Sequence, residues 1–285
     1  MSEGVEIESF HDIVLRRFKR NKLGVLGAGI VSAVVVIGLL APLISPYDPW
    51  YIQLGSRLQP PNHNHWLGTD VLGRDVLSRM IWGCQMAIFF GAGVAIISTL
   101  IGTAIGALAG YFRGILDGIL MRMTEFLLVI PSYFIYLLVM SALHQRDWRI
   151  LMVTMGLLMW PTLARVVRSE YLSLRERDYV KAARALGVSD IRIIFRHILP
   201  NAIAPIIVTT TMNTALAILL EASLSFLGVG DPTVASWGGM LTQAKDHIYT
   251  AWWLATFPGI AIFLTVMGFN MVGDGLRDAL DPRLA

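Results

Sequence analysis

Charged residues are scarce in this sequence of 285 residues. Asp, Glu, Lys and Arg together make up 15% of the chain, whereas 55% of its residues are apolar. Soluble proteins have about a quarter of their residues charged, so this composition argues against a soluble globular protein. The apolar residues form long uncharged stretches separated by short charged ones, a pattern typical of a polytopic membrane protein.

Cysteine and the common catalytic motifs are also missing. Cys84 is the one cysteine, which excludes a disulfide framework and a cysteine-based metal site. The sequence contains no G-x-x-x-x-G-K-[ST] nucleotide loop, no H-E-x-x-H motif and no G-x-S-x-G motif. His63 and His65 lack the further ligands that a metal site needs. We therefore expect no catalytic residues, no metal and no cofactor in this chain, and no nucleic-acid partner.

Six apolar stretches are long enough to cross a membrane. A helix rises about 1.5 Å per residue, so about 20 residues span a hydrocarbon core of roughly 30 Å. We therefore predict an all-α polytopic membrane protein with six transmembrane helices. The stretches lie at 24–45, between 79 and 113, at 126–143, between 149 and 165, at 198–220 and around 253–271.

The spans divide the chain into segments and predict its orientation. Residues 1–23 form an amphipathic segment, 24–45 the first span, 46–79 an extracytoplasmic loop, 80–273 a five-helix core with a cytoplasmic loop at 165–197, and 274–285 a tail. With the N-terminus in the cytoplasm, most of the 23 Lys and Arg residues fall in inner segments. Because cytoplasmic flanks carry the excess of Lys and Arg, we predict that both termini are cytoplasmic.

The N-terminal segment has the pattern of a surface helix. Phe10, Ile13, Val14 and Phe18 share one helical face, and basic residues lie off that face. This predicts a short helix in the lipid headgroup region before the first span. Simple anchoring by the basic residues is the alternative explanation.

A stripe of small residues marks a helix contact. Gly102, Gly106 and Gly110 recur every four residues in the second span. Such spacing allows another backbone to approach closely. We predict that the stripe packs against a neighbouring helix of the same chain rather than forming a dimer interface.

The cytoplasmic loop at 165–197 contains an amphipathic helix pattern. Tyr179, Ala182, Ala183 and Leu186 share one face, and Gly187 is expected to end the helix in the left-handed conformation. The pattern fits a helix lying on anionic lipid headgroups and, equally, a helix that docks in a groove of a soluble partner. The basic stripe beside this face is formed by Arg177, Lys181 and Arg184, and Ser189 is expected to cap the following helix.

This loop also carries a family resemblance. Residues 182–187, Ala-Ala-Arg-Ala-Leu-Gly, are followed after nine residues by His-Ile-Leu-Pro at 197–200. The pattern resembles the EAA loop of ABC-importer permeases, although Lys181 occupies the glutamate position and His197 a position that is usually apolar. The resemblance implies a coupling helix that inserts into a cleft of an ATP-binding subunit. The docking residues implied are Tyr179, Lys181, Ala182, Ala183, Arg184, Ala185, Leu186 and Gly187.

Further motifs narrow the resemblance. They are similar to those of the dipeptide, oligopeptide and nickel permeases, and most like the C-type permease subunit of a peptide importer. The motifs occupy residues 47–49, 65–70 and 72–79 in the outer loop, and 225–230, 237–238, 273–278 and 280–283 downstream.

The resemblance implies a type I ABC importer permease fold in a bacterial inner membrane. It implies a chain that forms half of a peptide pathway and is completed by a second, B-type permease. It also implies two ATP-binding subunits, which hold ATP and Mg, and an extracytoplasmic solute-binding protein, with membrane lipid around the spans. Nickel or another small solute is the alternative substrate.

Few ionisable residues lie near the spans. Glu221, Ser223 and Ser225 near the end of the fifth span are candidates for lining a pore. A stand-alone channel or secondary transporter would need a selectivity filter or a charged relay, and a membrane enzyme would need a paired catalytic constellation. The sequence shows neither arrangement.

The predicted outer loop contains two aspartates with the placement of helix caps. Asp70 and Asp75 each precede apolar residues, and Asp75 has the i, i+4 spacing of an ion pair with Arg79. A structural lid and a platform for an outside partner would both have this pattern.

Overall fold

The computed structural model describes residues 10–143 and 146–280, and the described part contains helices and turns but no strand. Residues 1–9 of the predicted amphipathic segment and Asp281, Pro282 and Arg283 of the last motif lie outside the described residues. The helices are α1 (Phe10–Arg20), α2 (Lys22–Leu39), α3 (Ala41–Ile44), α4 (Val76–Phe112), α5 (Gly114–Val129), α6 (Ser132–Leu143), α7 (Trp148–Leu158), α8 (Trp160–Leu174), α9 (Asp178–Ala185), α10 (Asp190–Arg192), α11 (Leu199–Phe226), α12 (Trp237–Ala244) and α13 (Trp253–Leu280). Short 3-10 turns occupy Leu54–Ser56 and Lys245–His247, and a π-helical turn at Ile193–Ile198 joins α10 to α11.

Membrane-spanning helices dominate the fold. Five helical stretches are long and apolar enough to cross a membrane, and a sixth span results if the bent pair α5–α6 is counted as one. The prediction of an all-α polytopic membrane protein is therefore confirmed. The five stretches are α2, α4, α7 with α8, residues 190–226, and α13.

The third predicted span, 126–143, has the wrong starting residue and is not one continuous helix. The apolar stretch starts earlier, at Gly114, and α5 meets α6 at an angle of 81°. Ile130 is extended and Pro131 follows it. Proline lacks the N–H that would continue the helix and disfavours helical geometry in the residue before it. The predicted segment therefore combines the end of α5 with α6.

Several helices extend beyond their predicted ends, among them α4 and α8. The helix α4 begins at Val76, inside the predicted loop, and its 37 residues give a length of about 55 Å. The helix α8 continues past Arg165 to Leu174. Its last turns are held because Val167 and Tyr171 are buried. The predicted loop at 165–197 is therefore largely helical.

The glycine stripe of α4 packs against α8, as predicted. A Cβ atom at Gly102 would lie 3.0 Å from the carbonyl oxygen of Trp160. At Gly106 it would lie 2.5 Å from the carbonyl oxygen of Ala164, and at Gly110 it would lie 2.6 Å from Cβ of Tyr171. Only glycine permits this approach, so α4 and α8 form a close seam of the bundle.

The N-terminal segment forms the predicted helix, α1. Its residues Ile13, Val14 and Phe18 are half-buried, and the Phe18 ring lies against Gly24 of α2 and Gly275 of α13. Asn21 accepts a hydrogen bond from the Gly24 N–H and caps α2. The helix α1 therefore packs on the ends of two spans.

Candidate functional site

The candidate docking site is α9 and the turn that follows it. The helix ends as predicted, because Gly187 has a φ of +74° and the Val188 N–H donates to the Ala183 carbonyl oxygen, 3.1 Å away. This is the usual geometry of a glycine-terminated helix. Ser189 precedes α10, but its side chain makes no capping hydrogen bond within the described chain.

The predicted apolar face of α9 is divided by the fold. Ala183 is buried, together with Val180, in a cluster that includes Tyr171 and Ile193. Tyr179 is 43% exposed and Leu186 is 83% exposed, and Ala182 and Ala185 are also exposed. Val180 was not predicted to bind α9 to the bundle, although its i, i+3 spacing from Ala183 places both residues on one helical face. The helix thus has one side fixed to the bundle and an open side.

The basic residues beside α9 surround one carboxylate. Glu176 lies 3.1 Å from Arg113 and 3.8 Å from both Arg175 and Lys181. Lys181, which occupies the glutamate position of the motif, therefore has an acidic neighbour in the chain itself. Burial, with Arg113 and Arg184 nearby, lowers the pKa of Arg175, yet a guanidinium stays charged at neutral pH.

Tyr111, near the end of α4, joins this group from the side of the bundle. Its side chain is buried, and its hydroxyl donates to Asp190. The guanidinium carbons of Arg175 and Arg184 lie 5.7 and 5.5 Å from the centre of its ring. Arg175 also donates to the Tyr111 carbonyl oxygen. We call Tyr111, Arg175, Arg184 and Asp190 the tyrosine clamp.

The three pore-lining candidates lie near the far end of α11. Glu221 and Ser225 are buried, and the Ser225 hydroxyl donates to Oε1 of Glu221 at 2.7 Å. Ser223 is partly exposed and donates to the Leu219 carbonyl oxygen of its own helix. The carboxylate is therefore satisfied inside the chain, and a role in lining a pore stays a prediction.

The loop at the opposite end of α4 is built on a buried ion cluster. Asp70 lies 2.7 Å from Nε of Arg74 and 3.6 Å from Nε of Arg79. Asp75 caps α4 by accepting from the Ser78 N–H, as predicted. The predicted pair of Asp75 with Arg79 is wrong: Arg79 points to Asp70, and Nδ1 of His65 lies 2.9 Å from Asp75. We call Asp70, Arg74, Asp75, Arg79 and His65 the buried ion cluster.

An open groove lies between α5 and α8 and was not predicted. It encloses about 650 Å³. In its wall, Arg168 forms two hydrogen bonds to Asp117, of 2.5 and 2.6 Å, which tie α8 to α5. The groove is lined by Met121, Thr124, Glu125, Leu128, Thr162, Arg165, Val166, Arg168 and Ser169. The groove was not predicted because the spans were identified from stretches without charged residues, and charged residues interrupt the sequence here.

Comparison with known proteins agrees with this architecture. Residues 102–285 match the family described as binding-protein-dependent transport system inner membrane component, and residues 9–61 match the N-terminal transmembrane domain of oligopeptide transport permease C.

Individual relatives match over nearly the whole chain. A Brucella abortus permease protein, provisionally named for peptide transport, is 42% identical over 273 residues, which cover 95% of this chain and 92% of the relative. The oligopeptide transport system permease protein of Bacillus subtilis is 39% identical, covering 94% of this chain and 88% of its own length. The dipeptide transport system permease protein of Alkalihalophilus pseudofirmus is 37% identical with the same coverage of each chain. This chain therefore belongs to the family of binding-protein-dependent transport system inner membrane components.

Proposed function

We propose that this chain is the permease subunit of an ABC importer that carries peptides. The support is the family membership together with relatives named for oligopeptide and dipeptide transport. None of the relatives compared above is named for nickel, which we keep as the alternative substrate. Glu221, Ser223 and Ser225 would then contribute to a pathway shared with a second, B-type permease.

The observation that carries the mechanism is the open side of α9. A loop helix with an 83% exposed leucine and a glycine-terminated end is suited to enter a groove on a partner. We infer that this partner is an ATP-binding subunit, two of which would hold ATP and Mg. The open docking side would be formed by Tyr179, Lys181, Ala182, Arg184, Ala185, Leu186 and Gly187, whereas Ala183 fixes the helix to the bundle.

The assembly would work by alternating access. The sequence has no nucleotide-binding loop, so the energy would enter through α9 from the ATP-binding subunits. An extracytoplasmic binding protein would deliver the peptide at the opposite end. Rigid-body movement of helices around a central site is an established way of coupling such events.

Replacing Leu186 with glutamate tests the docking role. The side chain is exposed, so folding should be unaffected. A charge placed in an apolar groove should reduce binding about 100-fold or more, because burying an unpaired carboxylate costs at least about 3 kcal/mol. The measurements are co-purification of the ATP-binding subunits and ATP-driven uptake of a labelled dipeptide into vesicles that hold the whole assembly.

The control is Leu186→Met, which keeps an apolar side chain of similar size and should retain both activities. Unchanged co-purification and uptake with Leu186→Glu would contradict the docking role. Nickel uptake measured in the same vesicles discriminates the substrates: ATP-driven accumulation of nickel but not of peptide would contradict the peptide assignment.

The proposed orientation places α9 in the cytoplasm and the loop at 46–75 outside. Cys84 is buried, so introduced cysteines can be labelled against a low background. In intact cells we expect a membrane-impermeant maleimide to label Tyr249→Cys, at a side chain that is 99% exposed, and to leave Leu186→Cys unlabelled until the cells are opened. Labelling of Leu186→Cys from outside would reverse the proposed orientation.

A further inference from the structure

The tyrosine clamp connects α4 to the segment that carries α9. Tyr111 is 3% exposed and lies in the last turn of α4. Its three partners come from elsewhere in the chain: Arg175 follows α8, Arg184 is in the last turn of α9 and Asp190 begins α10. One buried side chain therefore touches both ends of the segment from 175 to 190.

The chemistry of the clamp fixes the ring in place. A guanidinium near an aromatic ring is attracted by the π-electrons, and the Tyr111 ring has such a neighbour in both Arg175 and Arg184. The hydrogen bond from its hydroxyl to Asp190 has a charged acceptor and belongs to the stronger class. Contact with Tyr111 also raises the pKa of Arg184 above its ordinary value. The ring cannot turn without losing these contacts.

Arg175 holds the backbone of α4 as well as the ring. It donates to the Tyr111 carbonyl oxygen, which belongs to the last turn of α4. The last four carbonyl groups of a helix have no partner within it and carry the negative end of the helix dipole. A guanidinium there satisfies one carbonyl and stabilises the end of α4. The segment from 175 to 190 therefore contacts the backbone of α4 as well as the Tyr111 side chain.

A second set of contacts between α9 and the bundle is apolar. Val180 and Ala183 lie in a cluster with residues of α4, α8, α11 and the 193–198 turn. Apolar contacts are non-directional and tolerate sliding. The clamp, by contrast, is directional, because hydrogen bonds weaken steeply when their angle changes. A displacement of α9 would therefore be passed to α4 through the clamp.

The N-terminal end of α4 also has directional polar contacts. The helix runs without a break for 37 residues, and Arg79 in its first turn is part of the buried ion cluster with Asp70. Asp75, also in this cluster, caps the helix. An unbroken helix of this length that is attached to other segments at both ends can transmit a displacement from one end to the other, over about 55 Å.

We propose that Tyr111 is a positioning residue that transmits the movement of α9 along α4 to the buried ion cluster, which joins the start of α4 to the loop at 46–75. This inference rests on the proposed function, in which α9 docks on an ATP-binding subunit. In this arrangement ATP hydrolysis reaches the opposite face of the membrane through α4, in addition to α8 and α11, which precede and follow the segment that carries α9.

The experiment uses the complete assembly in proteoliposomes, with the binding protein present. Tyr111→Phe removes the hydroxyl and keeps the ring, whereas Tyr111→Leu removes both. The measured quantity is labelled dipeptide taken up per ATP hydrolysed. We expect this ratio to fall about 10-fold for Tyr111→Phe, as expected from loss of a hydrogen bond to a charged group, and further for Tyr111→Leu, with co-purification of the ATP-binding subunits unchanged.

A double-mutant cycle distinguishes loss of the Tyr111–Asp190 hydrogen bond from a general loss of stability. Asp190→Ala removes the acceptor and should lower the ratio like Tyr111→Phe, and the double variant should be no worse than either single variant, because both act through one hydrogen bond. The matched control is Tyr171→Phe, which removes a buried hydroxyl bonded to the Ile194 carbonyl oxygen at 3.3 Å and lies outside the clamp. It should leave the ratio unchanged.

Three outcomes would overturn the inference. They are an unchanged ratio in both Tyr111 variants, additive effects in the cycle, and loss of ATP-binding subunits from the Tyr111 variants, which would make Tyr111 part of the docking surface. If Leu186→Glu leaves co-purification and uptake intact, the docking role of α9 fails instead. The two failures are therefore distinguishable.

Discussion

Leucine at Gly106 is expected to destabilise the bundle more than leucine at any glycine that faces away from it. A Cβ atom there would lie 2.5 Å from the Ala164 carbonyl oxygen and 2.6 Å from Cβ of Val167. Both are far shorter than ordinary contact distances, and one partner is backbone that cannot rotate away. The helices α4 and α8 would have to separate along their seam. Overpacking of this kind costs about 1–3 kcal/mol, and more when backbones must move.

Gly106→Leu should also impair transport, because the α4–α8 seam lies next to the segment that carries α9. The helix α8 leads directly to the segment with α9, so a shift of α8 would displace the proposed docking site. We expect the free energy of unfolding, measured by titration with denaturing detergent, to fall by about 3 kcal/mol, and ATP-driven dipeptide uptake to be lost.

Gly29→Leu is the control, since no described atom lies within 4 Å of a Cβ placed at Gly29. There the change should be within about 1 kcal/mol, because leucine is also the better helix former. Equal stability of the Gly106→Leu and Gly29→Leu proteins would contradict the close α4–α8 seam.

Removing the Asp70 carboxylate is the second change with a large expected effect. Asp70 is 1% exposed, and the guanidinium groups of Arg74 and Arg79 are also buried beside it. Its Oδ1 atom also accepts from the backbone N–H groups of Leu72 and Arg74. The variant Asp70→Ala would leave two buried cations without their shared anion. Breaking a buried ion pair from one side costs about 3–5 kcal/mol.

We expect Asp70→Ala to lower the free energy of unfolding by that amount and to increase protease cleavage in the loop at 46–75. Asp246→Ala is the control, because Asp246 is exposed on the α12–α13 connection, and its loss should change stability by less than about 0.5 kcal/mol. The double variant Asp70→Ala, Arg79→Met should recover part of the loss, because it removes one of the stranded charges. A stability of Asp70→Ala within 1 kcal/mol of the unchanged protein would show that the cluster is not stabilising.

Local patterns in the sequence predicted the features that depend on a few neighbouring residues. The end of α9 follows from Gly187, because the left-handed conformation that ends a helix has little steric penalty in glycine. The α4–α8 seam follows from glycines spaced every four residues, since they share one helical face. The cap at Asp75 likewise needs only the residues of the first helical turn.

Features that depend on distant partners were predicted wrongly or missed. The third span was started too late because Asp117, Arg122 and Glu125 interrupt the apolar run. Asp117 is neutralised by Arg168 of α8, 51 residues away, and that contact has no local signal. Arg79 was paired with Asp75 by spacing, yet the fold brings Asp70 to it.

The sequence by itself determined that this protein is helical, that it crosses the membrane repeatedly, and that a glycine-terminated helix interrupts its later spans. These properties follow from the chemistry of consecutive residues, because backbone hydrogen bonds in lipid must be satisfied within each helix. Only the tertiary structure decided which side of α9 is exposed, which carboxylate each arginine meets, and that Tyr111 connects the segment from 175 to 190 to α4. Such pairings depend on where separate helices come together in space, and a charge or a ring has no preferred partner until packing supplies one.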